Sequence, residues 1–243
     1  EIRSRGLGDV YKRQYIGIII EIPRRAISQI SIPFISENIK NQNITKIENY
    51  YKEISLHQTL IGVLFYLLVI INLDHIFNLI PNSESFISGK DVVYVIGFCK
   101  LIIMFFSFNS EIISLSKHYR FTVITIIILA IISIALNLIL IPIYGMIGAA
   151  FASLVSILIF NIVKHIFIKI KMKISPFSIN TFKVILIGII LFIIDYYLMP
   201  ALSNNFLSIL FKSAVTSVVY FSVIYLLKIS PKLNGIVKSY IKN

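Results

Sequence analysis

An uncharged run of 43 residues, from Phe121 to Val163, is the feature that most limits what this chain can fold into. The run contains no Asp, Glu, Lys, Arg or His, and the turn-forming sequence Pro142-Ile143-Tyr144-Gly145 divides it near its middle. One helix needs about 20 apolar residues to cross a bilayer. The run therefore predicts two membrane-spanning helices that fold back on each other at this turn.

The whole composition agrees with a membrane protein. The chain is 57% hydrophobic and 14% charged, and its mean hydropathy is +0.88, whereas a soluble domain is about 25% charged. Spanning strands would alternate apolar and polar residues with a period of two, but these segments are apolar on all sides and too long for strands. We therefore expect an all-α, polytopic membrane bundle of about seven transmembrane helices.

The chain divides into three parts by composition. Residues 1–14 read like the translation of a sequencing adapter, so we expect them not to be native protein. Residues 15–228 are predicted to form the transmembrane bundle, and 229–243 a cytoplasmic tail. Segment 37–56, with mixed charges and helically spaced apolar residues, is predicted to be a surface helix. The predicted spans are about 15–36, 57–80, 92–115, 121–141, 146–168, 182–200 and 206–227.

The distribution of Lys and Arg predicts the orientation, because these residues are retained on the cytoplasmic side. Alternate loops carry nearly all of them, and the opposite set carries only Lys90. This asymmetry places the C-terminus in the cytoplasm. The bases of the cytoplasmic set are Lys40, Lys46, Lys52, Lys117, Arg120, Lys164, Lys169, Lys171, Lys173, Lys183, Lys228, Lys232, Lys238 and Lys242.

The first predicted span carries a polar stripe. Glu21, Arg25 and Gln29 recur at helical spacing, and Arg24 lies on the adjacent strip. Charges inside a bilayer are costly and mark functional candidates. We expect this stripe to line a hydrated cavity, where the guanidinium groups bind a phosphate or an acidic sugar and Glu21 is a counter-charge or ion-coupling group. The alternative is a Glu21–Arg25 ion pair within one helix, with Arg24 extending to the interface.

Other charges within the spans are expected to find partners on neighbouring helices. Lys100 and Glu111 fall on one face of the third span but about 16 Å apart along its axis, too far for a direct pair. Lys100 is a further candidate for binding the headgroup, and Glu111 and Asp74 are candidate counter-charges or ion-coupling groups. Hairpin geometry favours the pairs Asp74–Lys100 and Asp195–Lys212, each of which would hold antiparallel helices in register.

Several classes of site have little support. The four histidines lie on different segments, and Cys99 is the only cysteine, so neither a metal site nor a cofactor is predicted. The bases are dispersed at helix ends without aromatic residues between them, which argues against a nucleic-acid partner. No catalytic residues are predicted.

One segment of the uncharged run resembles the most recognisable part of the polysaccharide biosynthesis flippases, the polysaccharide-transporter branch of the multidrug, oligosaccharidyl-lipid and polysaccharide exporter superfamily. Two shorter stretches, 22–30 and 108–113 with Tyr119-Arg120-Phe121, are also similar to forms met in that family. The main segment is Leu136-Asn137-Leu138-Ile139-Leu140-Ile141-Pro142-Ile143-Tyr144-Gly145-Met146-Ile147-Gly148-Ala149-Ala150-Phe151-Ala152-Ser153.

The resemblance implies a fold of about fourteen helices in two bundles, of which Tyr15–Asn243 would supply the eighth to the fourteenth. It implies that the intact protein translocates an oligosaccharide linked to undecaprenyl pyrophosphate across a bacterial inner membrane, in the export of polysaccharide such as lipopolysaccharide O-antigen. Implied partners are this lipid-linked oligosaccharide, membrane lipids and possible polymerase or export machinery. Residue chemistry places Arg24, Arg25, Gln29 and Lys100 at the headgroup.

Three other functions remain open from the sequence. A cation-coupled multidrug exporter of the same superfamily would be expected to have an acidic cavity, but here bases equal or outnumber acids among the candidate lining residues. A membrane-embedded glycan polymerase would usually need a long external loop, and the predicted outer loops are short. A structural subunit is the third alternative.

Overall fold

A computed structural model describes residues 24–79, 89–200 and 204–241. Every secondary-structure element in these ranges is helical, as the sequence predicts. The helices are α1 (24–40), α2 (Ile44–Leu79), α3 (Lys90–Phe106), α4 (Asn109–Leu115), α5 (Tyr119–Lys171), α6 (Ile179–Leu198), α7 (Asn205–Leu226) and α8 (Pro231–Ile241).

Several of these helices are suited to a membrane. Helices α2, α5, α6 and α7 are long and apolar enough to cross a bilayer, and the bent pair α3 and α4 makes a fifth if it counts as one span. The prediction of a helical membrane bundle is confirmed at this level. The count of seven spans is not confirmed, because most of the first predicted span, 15–36, lies outside the described residues.

Helix α5 reverses direction at Gly145, which has φ 59° and ψ −133°. The rings of Phe121 and Phe167 stack with their centroids 3.7 Å apart, whereas in a straight helix these residues would be about 69 Å apart. The two arms of α5, 119–144 and 146–171, therefore lie side by side, as the uncharged run predicts. Only 6% of the most apolar 18-residue stretch of α5 is buried, so the hairpin presents apolar side chains outwards.

The turn of α5 leaves no room for a side chain at Gly148. A Cβ atom on Gly148 would lie 2.2 Å from the backbone oxygen of Leu140. We expect Gly148→Ala to destabilise the protein by about 1–3 kcal/mol, because the two arms must move apart. The measurement is the thermal unfolding midpoint in detergent. Gly235→Ala is the control, because a Cβ atom there meets nothing within 4 Å, and equal midpoints for both variants would contradict the prediction.

Helix α2 is the centre of the described bundle and packs against α3, α6 and α7. Its face at Leu60, Val63 and Leu67 forms a core with side chains of α6 and α7. The hydroxyl of Tyr220 in α7 donates a hydrogen bond to the backbone oxygen of Leu60 over 2.8 Å. This packing fixes the positions of α6 and α7 around α2.

The predicted surface helix over 37–56 does not exist as a separate element. Helix α1 continues to residue 40 and α2 begins at Ile44, so the segment belongs to two longer helices. Ile47 and Tyr51 are fully buried, in a second core with Ile35 of α1 and side chains of α4 and α5. The prediction was wrong because helically spaced apolar residues fit a protein core as well as a membrane surface.

The third predicted span is broken. Helix α3 ends at Phe106, α4 begins at Asn109, and their axes differ by 45°. Ser107 between them has a φ of 51°, and its N–H bonds back to the oxygens of Ile103 and Met104. Ser and Asn side chains compete with helical hydrogen bonds, which favours a break at this sequence. Lys100 and Glu111 consequently lie on two helices, not on one continuous face.

The predicted tail, 229–243, contains a helix that is attached to the bundle. Lys232 of α8 forms a salt bridge with Glu53 of α2, and Ser230 and His57 lie within hydrogen-bond distance at 3.0 Å. The side-chain amide of Asn234 donates to the backbone oxygen of Tyr225. The end of the described chain is therefore fixed against the same end of the bundle as the start of α2.

Candidate functional site

The structure divides the predicted polar stripe of the first span. Arg24 is half-buried on the side of α1 that packs against the bundle, whereas Arg25 and Gln29 are exposed. Glu21 lies outside the described residues. The predicted Glu21–Arg25 pair therefore stays a prediction. From the strip beside the stripe, the fold brings Arg24 to another helix of the described bundle.

Arg24 pairs with Glu111. Its Nη2 atom lies 3.0 Å from Oε1 of Glu111, and the two side chains are 18% and 17% exposed. Helix α4 positions the carboxylate, because Ile112 and Ile113 of that helix are fully buried and fix its orientation. This pair supplies the partner that the sequence predicted Glu111 to need, and it joins the first helix to the fourth.

Lys164 is a site residue that sequence reasoning missed. It was assigned to the cytoplasmic loops, but it is 1% exposed and lies within α5. Its Nζ donates a 2.7 Å hydrogen bond to Oγ of Ser110 and lies 3.5 Å from the ring centroid of Phe160. The signal was present in the sequence, because Lys164 falls inside the predicted span 146–168.

We define the charged cluster as Arg24, Ser110, Glu111 and Lys164. Lys164 contacts Ser110, the residue that precedes Glu111 in α4, and Glu111 pairs with Arg24. Counted over these four described side chains, two bases and one carboxylate leave an excess of one positive charge. Side chains from α1, α4 and α5 build it, and the break before α4 gives Ser110 and Glu111 their orientation.

A layer of neutral polar groups continues from α4 to α2 and α5. The hydroxyl of Tyr51, a fully buried residue of α2, donates to Oδ1 of Asn109. The amide of Asn109 donates in turn to the backbone oxygen of Asn161 over 3.3 Å. These bonds link α2 and α5 through the first residue of α4, which limits how far the charged cluster can rearrange by backbone motion.

The excess of positive charge determines which class of ligand the charged cluster could bind. Within the described ranges, no carboxylate forms a salt bridge with Lys164, whose contacts are a hydroxyl and an aromatic ring. A buried charge is costly unless it is paired. An anionic ligand would complete the charge balance, and phosphate oxygens suit both guanidinium and ammonium donors.

The predicted pair Asp74–Lys100 is not what the structure shows. Oδ1 of Asp74 lies 2.6 Å from Nζ of Lys90. The hydroxyl of Tyr66 donates to the backbone oxygen of Tyr94, so the register places Lys100 opposite the middle of α2. Lys100 follows Lys90 by ten residues, about three turns of helix, and is therefore far from Asp74. The similar depth of the two residues in their predicted spans was misleading, because span ends predicted from hydropathy do not fix the register of two helices.

The predicted pair Asp195–Lys212 is confirmed. Nζ of Lys212 lies 3.2 Å from Oδ2 of Asp195, and the side chains are 10% and 7% exposed. The pair joins α6 to α7. The pair is remote in sequence from the charged cluster. Its net charge is zero, because it has one charge of each sign.

A separate cavity of about 470 Å³ lies between α2, α3 and α6. Its lining is almost wholly apolar, so it differs from the hydrated cavity predicted around Arg24 and Arg25. For metal ions, no group of three or more His, Cys, Asp or Glu suited to binding occurs in the part of the chain that the structure describes. The lining includes Val63, Tyr66, Tyr94, Phe98, Leu101 and Ile189.

The fold and the charged cluster together define a class: an all-helical protein whose long apolar helices are compatible with several crossings of a membrane, with buried charges between them. Comparisons with protein-family models, with curated proteins and with solved structures find no match to this chain.

Proposed function

We propose that this chain forms part of a bacterial flippase that moves an oligosaccharide linked to undecaprenyl pyrophosphate across the inner membrane. The observation that carries the proposal is the excess of positive charge in the charged cluster, where Glu111 pairs with Arg24 and Lys164 contacts a hydroxyl and an aromatic ring. Maintaining such an excess between apolar helices is costly. A negatively charged cargo would explain why the excess of positive charge is retained.

A pyrophosphate headgroup fits the donors of the cluster. The guanidinium of Arg24 can present two parallel N–H donors to phosphate oxygens, and Lys164 offers a compact charge close by. Glu111 acts in this proposal as the counter-charge that holds Arg24 when cargo is absent. Arg25 and Gln29 on the exposed face of α1 would extend the headgroup site towards a second bundle, and Lys100 would contact acidic sugars.

The remaining features are proposed from sequence. The described helices would belong to the second of two bundles, supplying the eighth to the fourteenth of about fourteen helices. The C-terminus and α8 would lie in the cytoplasm. Alternating access of the two bundles would carry the polar headgroup through a hydrated space, while the lipid tail stays in hydrocarbon. The protein would be a transporter and not an enzyme, with polymerase or export proteins as further partners.

A cation-coupled multidrug exporter is the second candidate. Cationic drugs and coupling cations require carboxylates at the centre of the site. The described cluster contains one carboxylate, which is paired with Arg24, so the balance of charges favours an anionic cargo.

Genetic complementation tests the proposal. The chain joined to the first bundle that the proposal assigns to the intact protein should restore surface polysaccharide in a strain that lacks its own flippase and makes a matching glycan. We expect Arg24→Gln to reduce the restored polysaccharide about tenfold or more, because a charged hydrogen bond is worth about 1.5–3 kcal/mol. Arg120→Gln is the matched control, because Arg120 is exposed at the start of α5.

The outcomes separate the two candidate functions. Absence of polysaccharide despite confirmed membrane insertion, or full activity of Arg24→Gln, would contradict the flippase proposal. Increased drug tolerance without any polysaccharide would favour the exporter.

A further inference from the structure

One oxygen of the Glu111 carboxylate is not used in this structure. Oε1 accepts from Arg24, but Oε2 is buried without a hydrogen-bond partner among the described residues. A buried acceptor that makes no hydrogen bond destabilises the fold, because it has lost its contact with water and gained nothing in return. The carboxylate is therefore only half satisfied by its present pair.

Lys164, in turn, has no carboxylate partner among the described residues. Its ammonium group has three donors, one of which is taken by Ser110, and a second contact is the face of Phe160. Ser110 is the residue next to Glu111 in α4, so the ammonium lies beside the segment that carries the half-satisfied carboxylate.

We propose that Glu111 is shared between two bases. It pairs with Arg24 in the structure described above, and rotation of its side chain brings it to Lys164. Lys164 is thus a positioning residue that receives the carboxylate when Arg24 is occupied by an anion. The exchange stands on the contacts of the cluster, and only the identity of the anion rests on the proposed function.

The exchange follows from the cost of an isolated buried charge. An anion that binds Arg24 must displace Glu111, and a displaced buried carboxylate without a partner would strongly oppose binding. Transfer to Lys164 replaces one buried ion pair with another, so the two arrangements are close in energy. A ligand can then select between them by modest differential affinity.

A double-mutant cycle in the purified chain tests the exchange without any ligand. We expect Arg24→Gln and Lys164→Met to lower the thermal midpoint by only a few degrees each, because Glu111 retains the other base. The double variant should lose about 10 °C or more, well beyond the sum, because Glu111 then has neither. Additive effects would overturn the proposal.

A variant that keeps the positive charge at position 164 shows whether Lys164 stabilises the protein by its charge or by its packing. Arg24→Gln combined with Lys164→Arg should have a midpoint close to that of Arg24→Gln alone, because the cation at 164 is retained. If this variant is as unstable as the one with methionine, the exchange is wrong. If the methionine double variant does not fold while the arginine one does, the exchange is supported.

Lys212 is the matched control lysine. It is buried in α7 and pairs with its own carboxylate, Asp195, so Lys212→Met should add to Arg24→Gln without coupling. Coupling of equal size there would contradict the exchange. The two proposals can fail separately: additivity in this cycle leaves complementation untouched, and failed complementation leaves the measured coupling in place.

Discussion

Replacing Asp195 with leucine while Lys212 is retained is expected to lower the free energy of unfolding by about 3–5 kcal/mol. Both side chains are nearly buried, at 7% and 10% exposed. The substitution leaves the ammonium group between α6 and α7 without its carboxylate. An unpaired buried charge is among the few single changes that destabilise a protein to this extent.

Removing both charges should reverse most of the loss. In the double variant Asp195→Leu, Lys212→Leu, apolar side chains take the place of the pair, and such replacements are often neutral or stabilising. We expect a low thermal midpoint for Asp195→Leu alone. The double variant should have a midpoint close to that of the unsubstituted protein. The measurement is thermal unfolding in detergent, with monodispersity checked by size-exclusion chromatography.

The pair Glu48–Lys52 provides the control on the same molecule. Its atoms are 2.7 Å apart, but its side chains are 31% and 38% exposed. An exposed pair at this spacing is worth only about 0.3–0.5 kcal/mol. If Asp195→Leu costs no more than Glu48→Leu, the argument from burial is wrong.

The length of a connection decided which ion pairs could be predicted. Helices α6 and α7 are joined by a short segment, and Asn204 caps α7 by accepting from the N–H groups of Phe206 and Leu207. With few residues between the two helices, little freedom in register is left, so counting outwards from the connection found the correct pair. The connection between α2 and α3 is longer, and counting across it gave Lys100 instead of Lys90 as the partner of Asp74.

The uncharged run shows what hydropathy can predict. Two helices and a reversal at Gly145 follow from length, apolarity and the turn sequence alone. Hydropathy does not reveal which residues of a helix are buried in protein. Ile47 and Tyr51 were assigned to a surface helix for that reason, although the fold buries them.

The charged cluster could be predicted only in part. Arg24 and Glu111 were both identified as intramembrane charges, because the cost of burying charge makes them conspicuous. Their pairing depends on the break before α4 and on the contact of α1 with α4, which no local pattern encodes. Lys164 was missed because a base at the end of an apolar run was taken as a loop residue, whereas α5 continues to Lys171.

Glu111→Gln is expected to be the most damaging single change in the charged cluster, at about 3–5 kcal/mol. Gln retains the shape and an acceptor for Arg24 but removes the negative charge. Arg24 and Lys164 then remain together as two cations without a carboxylate from the described cluster. Their repulsion adds to the desolvation of each, because the surrounding helices are apolar. The measurement is again the thermal midpoint in detergent.

A second substitution distinguishes charge from shape. Glu111→Gln combined with Lys164→Met removes one of the two cations, so the midpoint should rise above that of Glu111→Gln alone. Glu48→Gln, at an exposed pair, should change the midpoint little. If the added Lys164→Met lowers the midpoint further, Lys164 stabilises the bundle by packing and not by charge. The cluster then has no positive excess to be balanced by an anion, and the reason for assigning it an anionic cargo is lost.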